Sequence, residues 1–282
     1  MDSSAQRDVA LITGAAGGMG VACAAVLAPR ADLVLTDRDS AGLERVAASL
    51  SVDVGAAPAV VACDLSRASD VDALVDSVRA RGGIRWLVHT AGLSPAMADW
   101  REVLEVDLAS TALLLDRFAS LMRRGGAAVC FASIAGHMGT DDPVVDGALD
   151  DPLAPDLSGR LLTALGGTEP SSGISYLYAK RGVIRLCERL AAPWGECGLR
   201  IVSISPGLMD TSMGRLELIG SPEKEPLIEM TPLVRRAADG QSRLPGTADD
   251  IAQAVAFLCS DAASFVTGCD LRIDGGLIAA MR

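Results

Sequence analysis

The sequence predicts an α/β protein, a single domain built on a doubly wound parallel sheet of about seven strands with helices on both faces. Three observations carry this expectation. Short apolar runs alternate with longer helical patterns along all 282 residues. The runs are almost continuously hydrophobic, so both faces of their sheet must be covered, as right-handed crossover helices provide. The first run leads directly into a glycine-rich turn.

In chain order the predicted strands are VALIT 9–13, DLVLT 32–36, AVVAC 59–63, WLVHT 86–90, AAVCFAS 127–133, RIVSIS 200–205 and DLRI 270–273. Residues 66–82 read as an amphipathic helix, with Ser66 as cap, apolar residues at 71, 74, 75 and 78, and Gly82 closing it. Residues 9–28 carry no charge and are long enough to cross a bilayer. Four glycines between Gly14 and Gly20 make a poor helix there, so strand, turn and helix is the better parse. Two segments break the alternation: residues 140–173, rich in Asp, Pro and Gly, and residues 208–245, which lack a strand signal. Both are expected to be surface excursions near the carboxyl ends of the strands, where such sheets bind ligands; the second is the expected substrate-binding excursion.

Composition narrows the partners. With 36 acidic against 25 basic residues the net charge is −11, the wrong sign for nucleic acid or an anionic membrane surface. Aromatic residues are only 3%, too few for base-stacking platforms. Seven scattered cysteines without CxxC or Cys/His clustering suit a reducing cytoplasm, with the thiols as small core residues and no metal site. Six aspartates between 141 and 156 are read as solvated.

The chemistry gathers in SYLYAK, residues 175–180, which holds both tyrosines and one of the two lysines. Tyr176 and Lys180 stand at i and i+4, on one helix face, whereas Tyr178 faces elsewhere. A free phenol, with a pKa near 10, is a poor base at neutral pH, and a cation one turn away favours its ionised form. Upstream, TGAAGGMG (13–20) makes a strand-to-helix turn in which a pyrophosphate can approach backbone N–H groups. Its spacing is not GxGxxG, and no GK[ST] follows. Asp37 ends the second strand, where a carboxylate accepts ribose hydroxyls and repels a 2′-phosphate, favouring NAD over NADP; Arg38 beside it is the opposing signal.

On these residues the chain resembles the short-chain dehydrogenase/reductase family over essentially its whole length. The family's TGxxxGxG falls on Thr13, Gly14, Gly18 and Gly20, CDL on 63–65, and HTAG 89–92 stands at the NNAG position. FASIAG 131–136 puts the family's catalytic serine at Ser133, YxxxK falls on Tyr176 and Lys180, and SPG 205–207 is followed by Thr211. FLCSDAASFVTGCDLRIDGG 257–276 is similar to the C-terminal signature. The resemblance implies a Rossmann-type fold, an NAD(P) cofactor, hydride transfer between a secondary alcohol and a ketone, and a homodimer or homotetramer. It puts the proton on Tyr176, the reacting oxygen on Ser133 and the cofactor ribose on Lys180. It places further cofactor contacts on Gly14, Gly18, Met19, Gly20, Asp37, Asp64, Leu65, Ala91, Gly92, Tyr176, Pro206, Gly207 and Thr211.

Two positions depart from the family pattern. Asp107, in LEVDLAS, stands where the family has an Asn whose backbone carbonyl holds a relay water. The backbone role survives the change, and the carboxylate could also pair with Lys180 and change how strongly it tunes Tyr176. His89 replaces the first Asn of NNAG and is read as a hydrogen-bonded strand-end residue; His137 is read as a pocket wall. AGLSP, WGECGLR, the long insert and the ending IDGGLIAAMR are most similar to the 3α-hydroxysteroid dehydrogenase/carbonyl reductase branch, which implies a hydrophobic, steroid-like substrate. A 3-oxoacyl thioester reductase and a non-catalytic dinucleotide-binding protein are the alternatives. LIAAM at the C-terminus reads as an interface strip, and the insert as a block on one mode of association.

Overall fold

The computed structural model describes residues 7–54, 57–139, 142–220, 225–233, 235–236 and 243–282. Residues 140–141 of the predicted insert, and 221–224, 234 and 237–242 of the second excursion, lie outside the described residues.

Seven strands form one parallel sheet: β1 Asp8–Thr13, β2 Ala31–Asp37, β3 Ala59–Ala62, β4 Ile84–His89, β5 Met122–Phe131, β6 Arg200–Pro206 and, numbering past a short ribbon, β9 Asp270–Ile273. Their spatial order is β3-β2-β1-β4-β5-β6-β9. β5 begins ahead of the predicted residue 127, because Met122 pairs with Ile84 across a register shift. The chain leaves β1 toward β2 on one side and returns to β4 on the other, which opens a crevice at the carboxyl ends of β1 and β4.

Alternation along each strand feeds two cores. Val9 and Leu11 of β1 pack with α3 Ala68–Arg79, α5 Ser110–Ala119 and α8 Ser172–Glu196. Ala10 and Ile12 pack with α1 Gly18–Leu27, α2 Ser40–Val54 and α11 Ala248–Leu258. Each fully buried Leu or Ile contributes about 1.5–3 kcal/mol of transfer free energy. The stretch 9–28 is a strand, a turn and a helix, and no helix among the described residues is long and apolar enough to cross a membrane.

Several expectations need correction. Ser66 does not cap α3: the cap position is Arg67, without a side-chain bond, while Ser66 Oγ donates to Asp64 Oδ1 at 2.7 Å. The insert folds into α6 Pro143–Leu149 and α7 Leu157–Ala164, whose Val145, Leu149, Leu157 and Leu161 join the α8 core. Its aspartates are not merely solvated. Asp142 and Asp156 cap α6 and α7. Asp146 receives Arg181 Nε at 2.5 Å and Arg185 Nη1 at 3.1 Å, and Asp150 receives Arg185 Nη2 at 2.7 Å and Arg189 Nη1 at 2.6 Å. Those arginines recur every four residues on one face of α8, so they meet both acids of α6.

The second excursion holds α9 Ser212–Gly220, α10 Glu225–Met230 and an antiparallel ribbon of β7 Arg235–Arg236 and β8 Arg243–Leu244, where no strand was expected. Of LIAAM, Leu277 and Ile278 in α12 Leu277–Ala280 are buried with Ile134 and Leu227, while Ala279, Ala280 and Met281 are exposed. All seven cysteines are free, but Cys197 and Cys269 are exposed rather than core residues. Trp86, Trp100 and Trp194 are buried.

Candidate active site

The glycine-rich turn has its shape because side chains would not fit. Gly14 adopts φ +64°, and a Cβ there would stand 2.6 Å from Ala91 N. At Gly20 it would stand 2.2 Å from the Gly14 carbonyl oxygen, and at Gly18 it would stand 3.3 Å from the Thr211 methyl. The turn therefore presses on the 91–92 loop, on itself and on the segment opening α9. Met19 packs its side chain on the core from the first turn of α1. Asp37 Oδ2 accepts Ala16 N–H at 3.1 Å and its Oδ1 accepts Asp39 N–H at 3.0 Å, so this carboxylate stands against the turn.

Ser133 follows β5, and its hydroxyl favours the ionised form of the Tyr176 phenol. Lys180 lies one turn further along α8, its Nζ 5.4 Å from the Tyr176 ring centre and donating to the Phe131 carbonyl at 3.3 Å. Asp107 sits in a π turn, Glu105–Ala109, that joins α4 Trp100–Leu104 to α5; such turns recur at functional sites. The Asp107 carboxylate does pair with Lys180: its Oδ2 is 3.4 Å from Lys180 Nζ, and its Oδ1 accepts Leu93 N–H at 2.7 Å. Gly92 makes room for this pair, since a Cβ there would lie 2.9 Å from Asp107 Oδ1 and 3.1 Å from Lys180 Nζ.

His89 is the supporting residue the sequence suggests. Thr111 Oγ1 donates to the Asp107 carbonyl at 2.8 Å, so His89 Nε2, 2.8 Å from Thr111 Oγ1, must donate to that hydroxyl. Nδ1 then accepts from Thr13 Oγ1 at 2.7 Å, which fixes a neutral tautomer. Burial, with Lys180 nearby, drives the His89 pKa down to about 3.

The electrostatics of Tyr176 differ from the expectation. Burial, the Glu217 carboxylate and Asp107 push the phenol pKa up, and the Ser133 hydroxyl pulls it the other way. Lys180 is paired with Asp107. Asp107 is itself raised by burial, against the pull of Lys180. Glu217, half-buried on α9, was missed in the sequence because no local pattern marks a side chain that α9 brings back over the site.

The remaining sequence-predicted positions divide. Gly207 touches Asp274, and Thr211 is buried with its hydroxyl accepting Gly214 N–H at 3.0 Å; both follow Pro206 at the end of β6. Asp64, after β3, accepts Ser66 N–H at 3.1 Å and feels the Arg38 charge, while Leu65 is a core residue. Ala91 lies partly buried beside the turn. His137 is not simply a pocket wall, because its Nε2 lies 2.8 Å from Asp270 Oδ2. No cluster of three or more His, Cys, Asp or Glu with metal-ligating geometry occurs among the described residues.

Comparison with known proteins agrees with this layout. A family model described as Enoyl-(Acyl carrier protein) reductase matches residues 14–148 and 162–278, omitting residues 149–161, which include the first part of α7. D-threitol dehydrogenase of Mycolicibacterium smegmatis is 34% identical over 279 residues, which is 95% of this chain and 92% of that protein. Cis-4-hydroxycyclohexanecarboxylate dehydrogenase of Sinomonas cyclohexanicum is 31% identical over 280 residues, 96% of each. The crystal structure of levodione reductase matches with a TM-score of 0.76 at 30% identity, covering 98% of this chain and 99% of that one.

Proposed function

Because the chain belongs to the short-chain dehydrogenase/reductase family, we propose that its chemistry runs with NAD on a hydrophobic, steroid-like cyclic alcohol or ketone. Membership itself makes the protein an oxidoreductase that acts on the CH–OH group with NAD(P) as acceptor. The observation that carries the finer reading is the meeting of Ser133, Tyr176 and Lys180 beside the glycine-rich turn.

The residues fit a dinucleotide. Gly14, Gly18 and Gly20 leave the turn without side chains where a pyrophosphate would lie, on the N-terminus of α1. Asp37 would hold the ribose hydroxyls and repel a 2′-phosphate, which supports NAD. When bound, the nicotinamide accepts or returns the hydride. Tyr176 takes the alcohol proton in oxidation and gives it back in reduction, at its phenolic oxygen. Ser133 donates a hydrogen bond to the reacting oxygen, stabilising the charge that develops there. Lys180 orients the cofactor ribose and, with Asp107, sets the charge around the phenol.

Met97, Met138, Leu216 and Ile219 are exposed on segments that follow β4, β5 and β6, which supports a hydrophobic substrate. A polyol is the second reading, favoured by Glu217, whose carboxylate beside Tyr176 suits further hydroxyl groups. A homodimer or homotetramer is supported by exposed Phe257, Phe265 and Leu271 near the edge strand β9, and a cytoplasmic location by the free thiols. Purified protein given NAD+ or NADP+ with androsterone, cyclohexanol and threitol tests the reading. NADH formed fastest from a cyclic alcohol supports it; a preference for NADP+, or for threitol, overturns the corresponding part.

A further inference from the structure

Away from Tyr176, one buried carboxylate collects donors from separate segments. Asp270, on β9, has a side chain only 6% exposed. Its Oδ1 accepts Ser203 Oγ at 2.6 Å and Ser205 Oγ at 3.0 Å, both from β6. Its Oδ2 accepts from His137 Nε2 at 2.8 Å, and the same nitrogen lies 3.2 Å from Ser205 Oγ. A carboxylate so far from water needs its donors, since leaving it unpaired costs far more than an exposed pair is worth.

What His137 holds matters for the site. It ends a single turn of 3₁₀ helix, Ile134–His137, whose cap is Ser133. Ser133 Oγ accepts Ala135 N–H at 3.2 Å and its carbonyl accepts Gly136 N–H at 3.0 Å. Gly136 lies flat against α8, where a Cβ would stand 2.9 Å from both Lys180 C and Arg181 N. The turn bearing Ser133 is therefore wedged against the helix beside Lys180, and its far end carries His137. Ser205, the other partner, directly precedes Pro206 and Gly207.

We propose that His137 and Asp270 are a positioning pair, which fixes the Ser133 turn against α8 and ties it to the end of β6, so that Ser133 and the Pro206–Gly207 loop keep one register. His137 acts through Ser133, not on the substrate. This rests on the reading of Ser133 as the group that holds the reacting oxygen. A displacement of about 1 Å in such a group costs on the order of 100-fold in rate, so a device that prevents it has a measurable value.

The test uses the full chain with His137→Leu, which removes the donor, His137→Gln, whose amide can replace Nε2–H, and Asp270→Asn, which keeps the volume. Two readouts are taken: steady-state oxidation of androsterone or cyclohexanol with NAD+, and hydrogen exchange of the backbone amides of 133–138. His137→Leu and Asp270→Asn should lower kcat by about 10- to 100-fold, with faster exchange at 133–138. His137→Gln should restore both. If His137→Leu keeps wild-type kcat, or leaves exchange at 133–138 unchanged, the proposal is wrong. If His137→Leu fails to fold, Asp270→Asn decides by the same criteria. Absence of turnover by the wild-type protein would count against the proposed function alone, because the exchange measurement judges the pair without activity.

Discussion

The Asp107 carboxylate lies 3.4 Å from the Lys180 ammonium, and both side chains are almost wholly out of solvent. An Asn at that position would leave the ammonium uncompensated beside Tyr176. The carboxylate instead cancels part of the charge that would make the phenol acidic.

Asp107→Asn should therefore move the rising limb of kcat/KM for alcohol oxidation to lower pH by about one unit, because removing a neighbouring negative charge favours the ionised phenol. Glu217→Gln should move it in the same direction, since the Glu217 charge also raises the phenol. A pH profile from neutral to alkaline conditions measures both shifts.

Much of this site is legible in the sequence because its determinants are local. The glycines of 14–20 and the i, i+4 pair of Tyr176 and Lys180 are set by turn and helix geometry within a few residues. The strands show because a covered parallel sheet demands unbroken apolar runs. What stays hidden depends on pairs far apart in the chain. Asp146 and Asp150 find their arginines 35 residues later, and His137 meets Asp270 across 133 residues. An acidic stretch and a lone histidine carry no local mark of such partners. The influence of Glu217 on Tyr176 was hidden for the same reason, since it turns on where α9 arrives once the chain has folded.

His89 stays neutral in the fold, with a pKa of about 3 against 6.5 for the free side chain. The unfolded chain thus binds the proton first, and this part of the stability is complete above about pH 6.5 and is lost as pH falls toward 3. His89→Leu should flatten that stretch of the stability curve. It should also cost roughly 1–3 kcal/mol at neutral pH, by taking the shared partner from Thr13 and Thr111. Urea unfolding at neutral and acidic pH reads both effects.

Gly20→Ala should damage the turn directly. Its Cβ would lie 2.2 Å from the Gly14 carbonyl oxygen, a backbone atom that cannot move without opening the turn. A loss of about 1–3 kcal/mol is expected. The rise in Tm on adding NAD+ should shrink with it, as thermal unfolding with and without cofactor will show.

The ion-pair ladder predicts how the insert is held. Asp146 and Asp150 have lowered pKa values, chiefly from their hydrogen bonds to Arg181 and Arg185, so the stabilisation is present above the ordinary carboxylate range. It is lost as pH falls through the folded values. Asp146→Asn with Asp150→Asn should loosen α6 and α7 from α8, seen as faster hydrogen exchange over 143–164 at neutral pH and little change in the sheet.

The most direct test is Tyr176→Phe, compared with wild type in NAD+ binding followed by tryptophan fluorescence and in oxidation of the best cyclic alcohol. The phenol is placed as the proton acceptor, so the variant should bind NAD+ about as tightly as wild type and lose turnover by at least about 1,000-fold. Turnover within ten-fold of wild type by a folded, cofactor-binding Tyr176→Phe protein would contradict the account.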